Sequence, residues 1–466
     1  MSDKSTNKKI YKIVGTIAIG WSLLMGWAII GSYTAQKSFE IKDPYLKKII
    51  LSWDLIQKNS VLNTKDPKVN EKIMDNTIKA MASSIDVHST WYTEKETKQV
   101  FEKLSGEYVG IGISYHIEKE GGVIVKVFSN SPMEKLNIVP DDIITKVEGK
   151  KLFAELKDNK KVIMLGDQVI TEDDLSNVLK GEEGTKLSLT VKRHETGKEE
   201  TFQVTRTKIV SANIQSEIKD LGNKGHWLKI SILDFQENTL KEVSNHIRNL
   251  WADAKRKNIK LDGVVLDLQN SPGGIVPVSV SVASLFLPKD AKVVSIIQKD
   301  EKDIIEKTYT LPKEPWTDWL KTTELVVWNN RKTASAAEIL IGALKDNNRI
   351  KFILGDYTYG KGVVQSIYKI DNDSLSFSTG WYTTPSGNYI QGNGIKPDYK
   401  ISYPEKLTEE INRTGEKYMP NYLAAPIPYK DEGKILGNYF MDIKENWNEK
   451  NIIDWYWNTT EKILNK

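Results

Sequence analysis

The sequence predicts a multidomain chain of mixed α/β and α+β class that carries one N-terminal transmembrane helix. Three observations lead there. The hydrophobic period changes along the chain, from helical spacing, to short alternating strands, to strand–helix repeats. Residues 13–36 form a run of 24 without a charge, which breaks the globular pattern at once. A length of 466 residues, at roughly 100–200 per domain, asks for several domains. The 39% hydrophobic content supplies their cores and excludes a wholly disordered chain.

The charge-free run comes first. About 20 apolar residues cross a bilayer core, so 13–36 is long enough. Lys4, Lys8, Lys9 and Lys12 precede it, while Lys37, Glu40, Lys42 and Asp43 follow as a mixed set. The excess of basic charge on one side places residues 1–12 in the cytoplasm and the rest outside, in a single-pass protein of the cell membrane. A cleaved signal would end in a small-residue site, for which Ser32-Tyr33-Thr34-Ala35 is a poor match.

Residues 37–104 read as a helical N-terminal segment. Leu46, Ile49, Ile50 and Trp53 recur at helical spacing, and a turn at residues 63–67 leads to further helices through Ile73, Ile78, Met81 and Val100, Phe101, Leu104. Such a segment suits a helical cap or an oligomerisation element. Residues 105–207 hold about five short strands bounded by Gly, Pro and Asn, with short helices near 132–136 and 172–179, which describe a small, partly open barrel. Residues 151–170 have weak periodicity and read as a surface insertion. Residues 208–403 alternate strand and helix. LDGVVLDL is a nearly continuous apolar strand, as expected where both faces of a sheet are covered. Residues 404–466 are polar with scattered aromatics and show no chemistry.

Composition narrows the function. Lys plus Arg number 66 against 62 Asp plus Glu, a balance that argues against a nucleic-acid partner. Cysteine is absent, so disulfides, thiolate metal sites and a Cys nucleophile are excluded. The 5 histidines have no metal-ligand spacing, and no metal or cofactor is expected.

Two strand-end turns remain as candidates for chemistry. Thr333-Ala334-Ser335-Ala336-Ala337-Glu338 opens a helix, where a serine is exposed among free N–H donors; its bland reading is a helix cap. Gly360-Lys361-Gly362 lacks the spacing and the following Ser/Thr of a phosphate-binding loop, which disfavours a nucleotide-dependent enzyme; its bland reading is a solvated turn.

Several blocks, in order over roughly 70–400, resemble the carboxy-terminal processing (tail-specific) peptidases, serine peptidases with a Ser/Lys dyad and a PDZ domain. They are MASSIDVHSTWYT, LSGEYVGIGI, SPMEKLNIVPDDII, DLQNSPGG, TASAAEILIGAL, GDYTYGKGVVQ and GWYTTPSGNYIQGNGIKPD. The resemblance implies that Ser335 is the nucleophile, Lys361 the general base and Gln365 the residue that orients the lysine. It implies an oxyanion hole from the N–H groups of Gly273 and Ala336. The barrel is then a PDZ domain whose loop Val109, Gly110, Ile111 and Gly112 receives a substrate's C-terminal tail; the bland reading of Gly110 and Gly112 is that they shape a turn. Homo-oligomerisation through the N-terminal helices is a further expectation. Gln269 stands where the family usually has Arg, and Asp141 where Gly is common. The function implied is a membrane-anchored serine endopeptidase acting at or near protein C-termini. The alternative is a catalytically inactive PDZ scaffold that binds peptide tails.

Overall fold

Seven strands form the main sheet of the computed structural model, in the order Ile214–Asp220, His226–Ile232, Leu261–Asp267, Glu324–Trp328, Phe352–Gly355, Tyr399–Ser402, Gly437–Phe440. The first pair is antiparallel and the others run parallel. The structure describes residues 43–61, 66–128, 130–157, 160–211, 213–299, 303–404, 414–420, 422–426, 434–443 and 448–466. The expected cytoplasmic tail and transmembrane helix lie outside them. Among the described residues no helix is long and apolar enough to cross a membrane.

The parallel strands are apolar on both sides because both faces are covered. Val264, Leu266, Leu325 and Val327 face one core with helices Thr239–Arg256, Val276–Phe286 and Ala336–Asp346. Val265, Val326 and Trp328 face the opposite core with the C-terminal helix Glu449–Leu464. Successive strand residues point to opposite faces, so this alternation requires two covers. The polar C-terminal stretch supplies the second one. Its Trp457 packs edge-on against Trp328 with ring centroids 5.0 Å apart.

A second sheet is antiparallel. It runs Thr90–Tyr92, Asp373–Thr383, Lys292–Gln298, Ile304–Lys307, with Val363–Ile370 also paired to Asp373–Thr383. The Thr-Trp-Tyr strand corrects the reading of residues 37–104 as helical throughout: β-branched and aromatic side chains suit an edge register opposite Ser374, Leu375 and Ser376. The preceding helices Pro44–Asn59 and Pro67–Ser83 are capped by Asp43 and Asp66, each followed by proline in the first turn.

Contacts divide the chain into two compact units, the smaller comprising Phe101–Asn213 with Gln236–Asn238. Its strands close around one core that includes Ile117, Ile124, Ile144, Leu189 and Val191. Residues 151–170 are part of this unit as strands rather than a bare surface insertion. Leu152, Ala154, Ile163 and Leu165 turn inward. The lysine-rich flanks hide that alternation from a periodicity count. Asp141 adopts φ 71°, a left-handed conformation that glycine takes without strain and Asp tolerates, which accounts for the usual glycine there.

Trp457→Ala should lower stability by about 3–5 kcal/mol in a denaturant titration, as expected for a deleted buried aromatic. A wild-type midpoint would mean that the C-terminal helix does not cover the sheet.

Candidate active site

Parallel strands direct their carboxyl ends to one edge of a sheet, where loops can converge. The three central strands end there in the sequence-selected turns: Leu261–Asp267 before Gly273, Glu324–Trp328 before Ser335, and Phe352–Gly355 before Lys361. Cross-loop bonds hold these turns together. Ala334 N–H donates to the Ser271 carbonyl at 2.9 Å, Thr333 Oγ1 to the Leu268 carbonyl at 2.8 Å, and Tyr359 N–H to the Thr333 carbonyl at 2.9 Å. Behind them, Arg331 Nε pairs with the buried Asp356 carboxylate at 3.1 Å.

Ser335 precedes helix Ala336–Asp346 at φ 55°, ψ −121°, a conformation that L-residues seldom adopt. Strain of this kind costs on the order of 1–3 kcal/mol and persists only where surroundings enforce it. Its surroundings are buried: Thr333, Ala334, Ala336 and Ala337 are closed to solvent while Ser335 keeps part of its surface. Gly273 lies directly against this turn at φ 93°. A Cβ there would stand 2.7 Å from the Ala336 nitrogen and 2.8 Å from Ser335 Cβ. The two expected oxyanion-hole residues are therefore neighbours, and only glycine fits at position 273.

The side chain that enforces the arrangement is Glu338, with no exposed surface. One carboxylate oxygen accepts the N–H of Ser335 at 2.8 Å and that of Lys361 at 3.0 Å. The other accepts Gly360 N–H at 2.8 Å and the Thr358 hydroxyl at 2.5 Å. Thr358 Oγ1 is itself an acceptor for Ile395 N–H, which fixes its proton toward Glu338. Burial pushes the Glu338 carboxyl up to about 8, and the four donors pull against that shift. The sequence does carry a signal for Glu338, the Ser-x-x-Glu spacing of a capping box, although its second set of partners comes from a strand end far along the chain.

Lys361 as a whole keeps some solvent exposure, but its amine end is embedded in protein. That embedding pushes its pKa below the ordinary lysine value; Glu416, then Asp86 and Glu338, oppose the shift. Lys361 Nζ donates to Gln365 Oε1 at 2.9 Å. Gln365 sits on strand Val363–Ile370 at a register irregularity, and its amide nitrogen donates to the His88 carbonyl. Glu338 thus links the backbones of Ser335 and Lys361, Gly273 lies against Ser335 and Ala336, and Gln365 bonds the lysine amine. His88 and Gln391, which lie in two of the blocks quoted above, join this surround with Glu416, which lies in none. Asp267, two residues before Gln269, accepts the Ser231 hydroxyl at 3.0 Å and the Gln269 N–H at 3.1 Å.

The smaller unit has a groove of about 380 Å³. Ile111, Gly112 and Ile113 line one side, and Ser176 and Leu179 of helix Glu172–Leu179 the other. Of the four loop residues, Ile111 and Gly112 line the groove. Val109 and Gly110 precede it in a strand paired to Thr207–Val210. Lys180 lies at the groove with its amine 5.0 Å from the Tyr108 ring centroid.

Comparison with known proteins gives the chain's relatives. A family model described as Peptidase family S41 matches residues 227–401. A protein of Staphylococcus haemolyticus described as "Probable CtpA-like serine protease" is 30% identical over 426 residues, covering 90% of this chain and 78% of that protein. Its Staphylococcus saprophyticus counterpart is 30% identical over 392 residues, covering 84% of this chain and 72% of the relative. Among solved structures, a photosystem II D1 C-terminal processing protease is 20% identical with a TM-score of 0.41, covering 82% of this chain and 100% of its own.

Glu338→Ala would leave three backbone N–H groups and a hydroxyl without their acceptor. At about 1–3 kcal/mol for each of the four orphaned groups, stability should fall by at least about 4 kcal/mol. Chemical unfolding of this variant checks it, and an unchanged midpoint would mean that the turns are held by other contacts.

Proposed function

The chain belongs to peptidase family S41, and from that premise we propose that it is a membrane-anchored serine endopeptidase cutting proteins at or near their C-termini with a Ser335/Lys361 dyad. The observation that carries this reading is the shared carboxylate: one oxygen of Glu338 holds the backbone N–H of both residues. It ties together the backbones of the two turns that carry Ser335 and Lys361, which supports their reading as a pair.

In this reading Ser335 Oγ attacks the scissile carbonyl carbon while the neutral Lys361 amine takes its proton. A lysine in water, with pKa about 10.4, is protonated at neutral pH. Embedding lowers that value here. Gln365 holds the amine with a neutral oxygen, so orientation comes without a further charge that would favour the ammonium form. The tetrahedral oxyanion lies between the N–H groups of Gly273 and Ala336; loss of one such donor typically costs about 10²–10³ in rate. Collapse expels the amine leaving group, which takes the proton back from Lys361. Water then attacks the acyl-serine with Lys361 as base again, and Ser335 leaves protonated.

The smaller unit acts as a PDZ domain. A substrate tail lies in its groove with the terminal carboxylate at the N–H groups of Ile111 and Gly112, near the Lys180 ammonium. Residues 13–36 anchor the protein in the cell membrane with this part outside, supported by the lysines that precede the charge-free run.

Hydrolysis of an unfolded protein tests the chemistry. Ser335→Ala and Lys361→Ala should abolish turnover while melts stay near wild type. Lys361→Arg should also fail, because a guanidinium does not release its proton at any working pH. Gln365→Ala should lose less. For the native enzyme the rate should rise with pH through a lysine pKa below the ordinary value. Amidating the substrate's C-terminus should raise KM more than it lowers kcat. Retained activity in Lys361→Arg would remove lysine as the base, and equal KM values would remove tail capture by the groove.

Topology has its own test. Protease added to intact protoplasts should digest the catalytic part; its full protection would overturn the outward orientation.

A further inference from the structure

Beyond the dyad, the surround of Lys361 depends on a residue from the polar C-terminal stretch. Glu416 is buried, at 1% exposure, beside the turn that carries Lys361. Its backbone N–H donates to the Tyr359 carbonyl at 2.9 Å. One of its carboxylate oxygens meets His88 Nε2 at 2.7 Å and accepts Gln391 Nε2 at 3.1 Å. The other oxygen is buried without a hydrogen-bond partner among the described residues.

Both contacts lead back to the base. Gln391 Oε1 accepts the N–H of Gly362 at 2.6 Å, so Gln391 links Glu416 to the lysine turn. The His88 carbonyl accepts the amide nitrogen of Gln365, which leaves the amide oxygen facing the Lys361 amine. An amide can point either of two ways, and with its NH₂ toward Lys361 it could not accept from the amine. The backbone of His88 therefore selects the useful orientation. Two things fix His88: the Asp86 carboxylate accepts its N–H at 2.8 Å, and Glu416 holds its ring.

We propose that Glu416 is a positioning residue of this active site, holding through His88 and Gln391 both the amide that orients Lys361 and the turn that carries it. The proposal rests on the reading of Lys361 as general base. It gives the C-terminal stretch a part in catalysis besides covering the sheet.

Glu416 also adds a negative charge where the lysine must gain a positive one. The acidic groups facing Lys361 are Glu338 from its helix, Asp86 from the segment before strand Thr90–Tyr92, and Glu416; His88 meets it through Glu416. The phenols of Tyr359, Tyr382 and Tyr422 lie within electrostatic reach of Glu416. Glu416 is the strongest of the three carboxylates favouring the ammonium form. Removing its charge lowers the lysine's pKa further. Because the neutral amine is the active form, the rising limb of the rate profile then moves to lower pH. A residue with a purely structural role would lower rates without moving that limb.

The experiment measures kcat and KM against pH on an unfolded protein substrate, with the full chain as wild type, Lys361→Ala, Glu416→Ala and Glu416→Gln. Glu416→Ala should lower kcat by about 10²-fold at unchanged KM, the scale of a small misplacement of a reacting group. Glu416→Gln retains an oxygen for His88 and Gln391 but no charge, and its rising limb should move to lower pH. Wild-type kcat in a folded Glu416→Ala, or a limb in Glu416→Gln that stays or moves to higher pH, would overturn the proposal. If Glu416→Ala does not fold, the limb of Glu416→Gln alone decides. An inactive wild type, or an active Lys361→Ala, would instead overturn the dyad reading on which it rests.

Discussion

One buried carboxylate, that of Glu338, is the constraint on which the site depends. It accepts hydrogen bonds from two turns far apart in sequence, one carrying Ser335 and the other Lys361. At about 0.5–1.5 kcal/mol net for each hydrogen bond, the four together contribute a few kcal/mol. That scale matches the strain at Ser335, whose φ of 55° would relax if nothing held its N–H. The serine is thus presented at the head of its helix by an acid one turn further in. The same acid fixes where the lysine enters.

The sheet explains why these turns meet at all. Adjacent parallel strands end side by side, and the loops that follow them share one edge. Such strands exist only where both faces are dry, so the site needs the helices on one face and the C-terminal helix on the other. A buried Trp328 on the strand before Ser335 faces that C-terminal helix, with Tyr456 and Trp457 against it. The polar tail of the chain is in this way part of the platform that carries the serine.

Much of this was legible in the sequence. The apolar run LDGVVLDL announced a sheet covered on both sides, and the turns at Ser335 and Lys361 stood out by their small residues. What stayed hidden was whatever depends on contacts between distant segments. Residues 151–170 alternate inward and outward, but lysines on both ends mask the period. Thr90-Trp91-Tyr92 is too short to outweigh helical neighbours until a partner strand is present. Glu338 had a local signal as a capping residue, yet its bonds to Gly360 and Lys361 come from tertiary structure. Glu416 had none, since a buried polar residue is recognisable only from the groups it meets.

The electrostatics of Lys361 bring these parts together. A base must be neutral before attack and must hold a proton after it, so its pKa can be neither that of a free lysine nor far below the working pH. Embedding the amine drives the value down, while Glu416, Asp86 and Glu338 drive it up. Of the three, Glu338 contributes least, although it alone bonds the lysine's own backbone N–H. Its oxygens are engaged by backbone donors and a threonine hydroxyl, whereas Glu416 and Asp86 each keep one buried oxygen without a hydrogen-bond partner among the described residues. The site therefore divides two tasks among its acids. Glu338 engages both of its oxygens in holding the backbone of the two turns, while Glu416 and Asp86 bear more strongly on the amine.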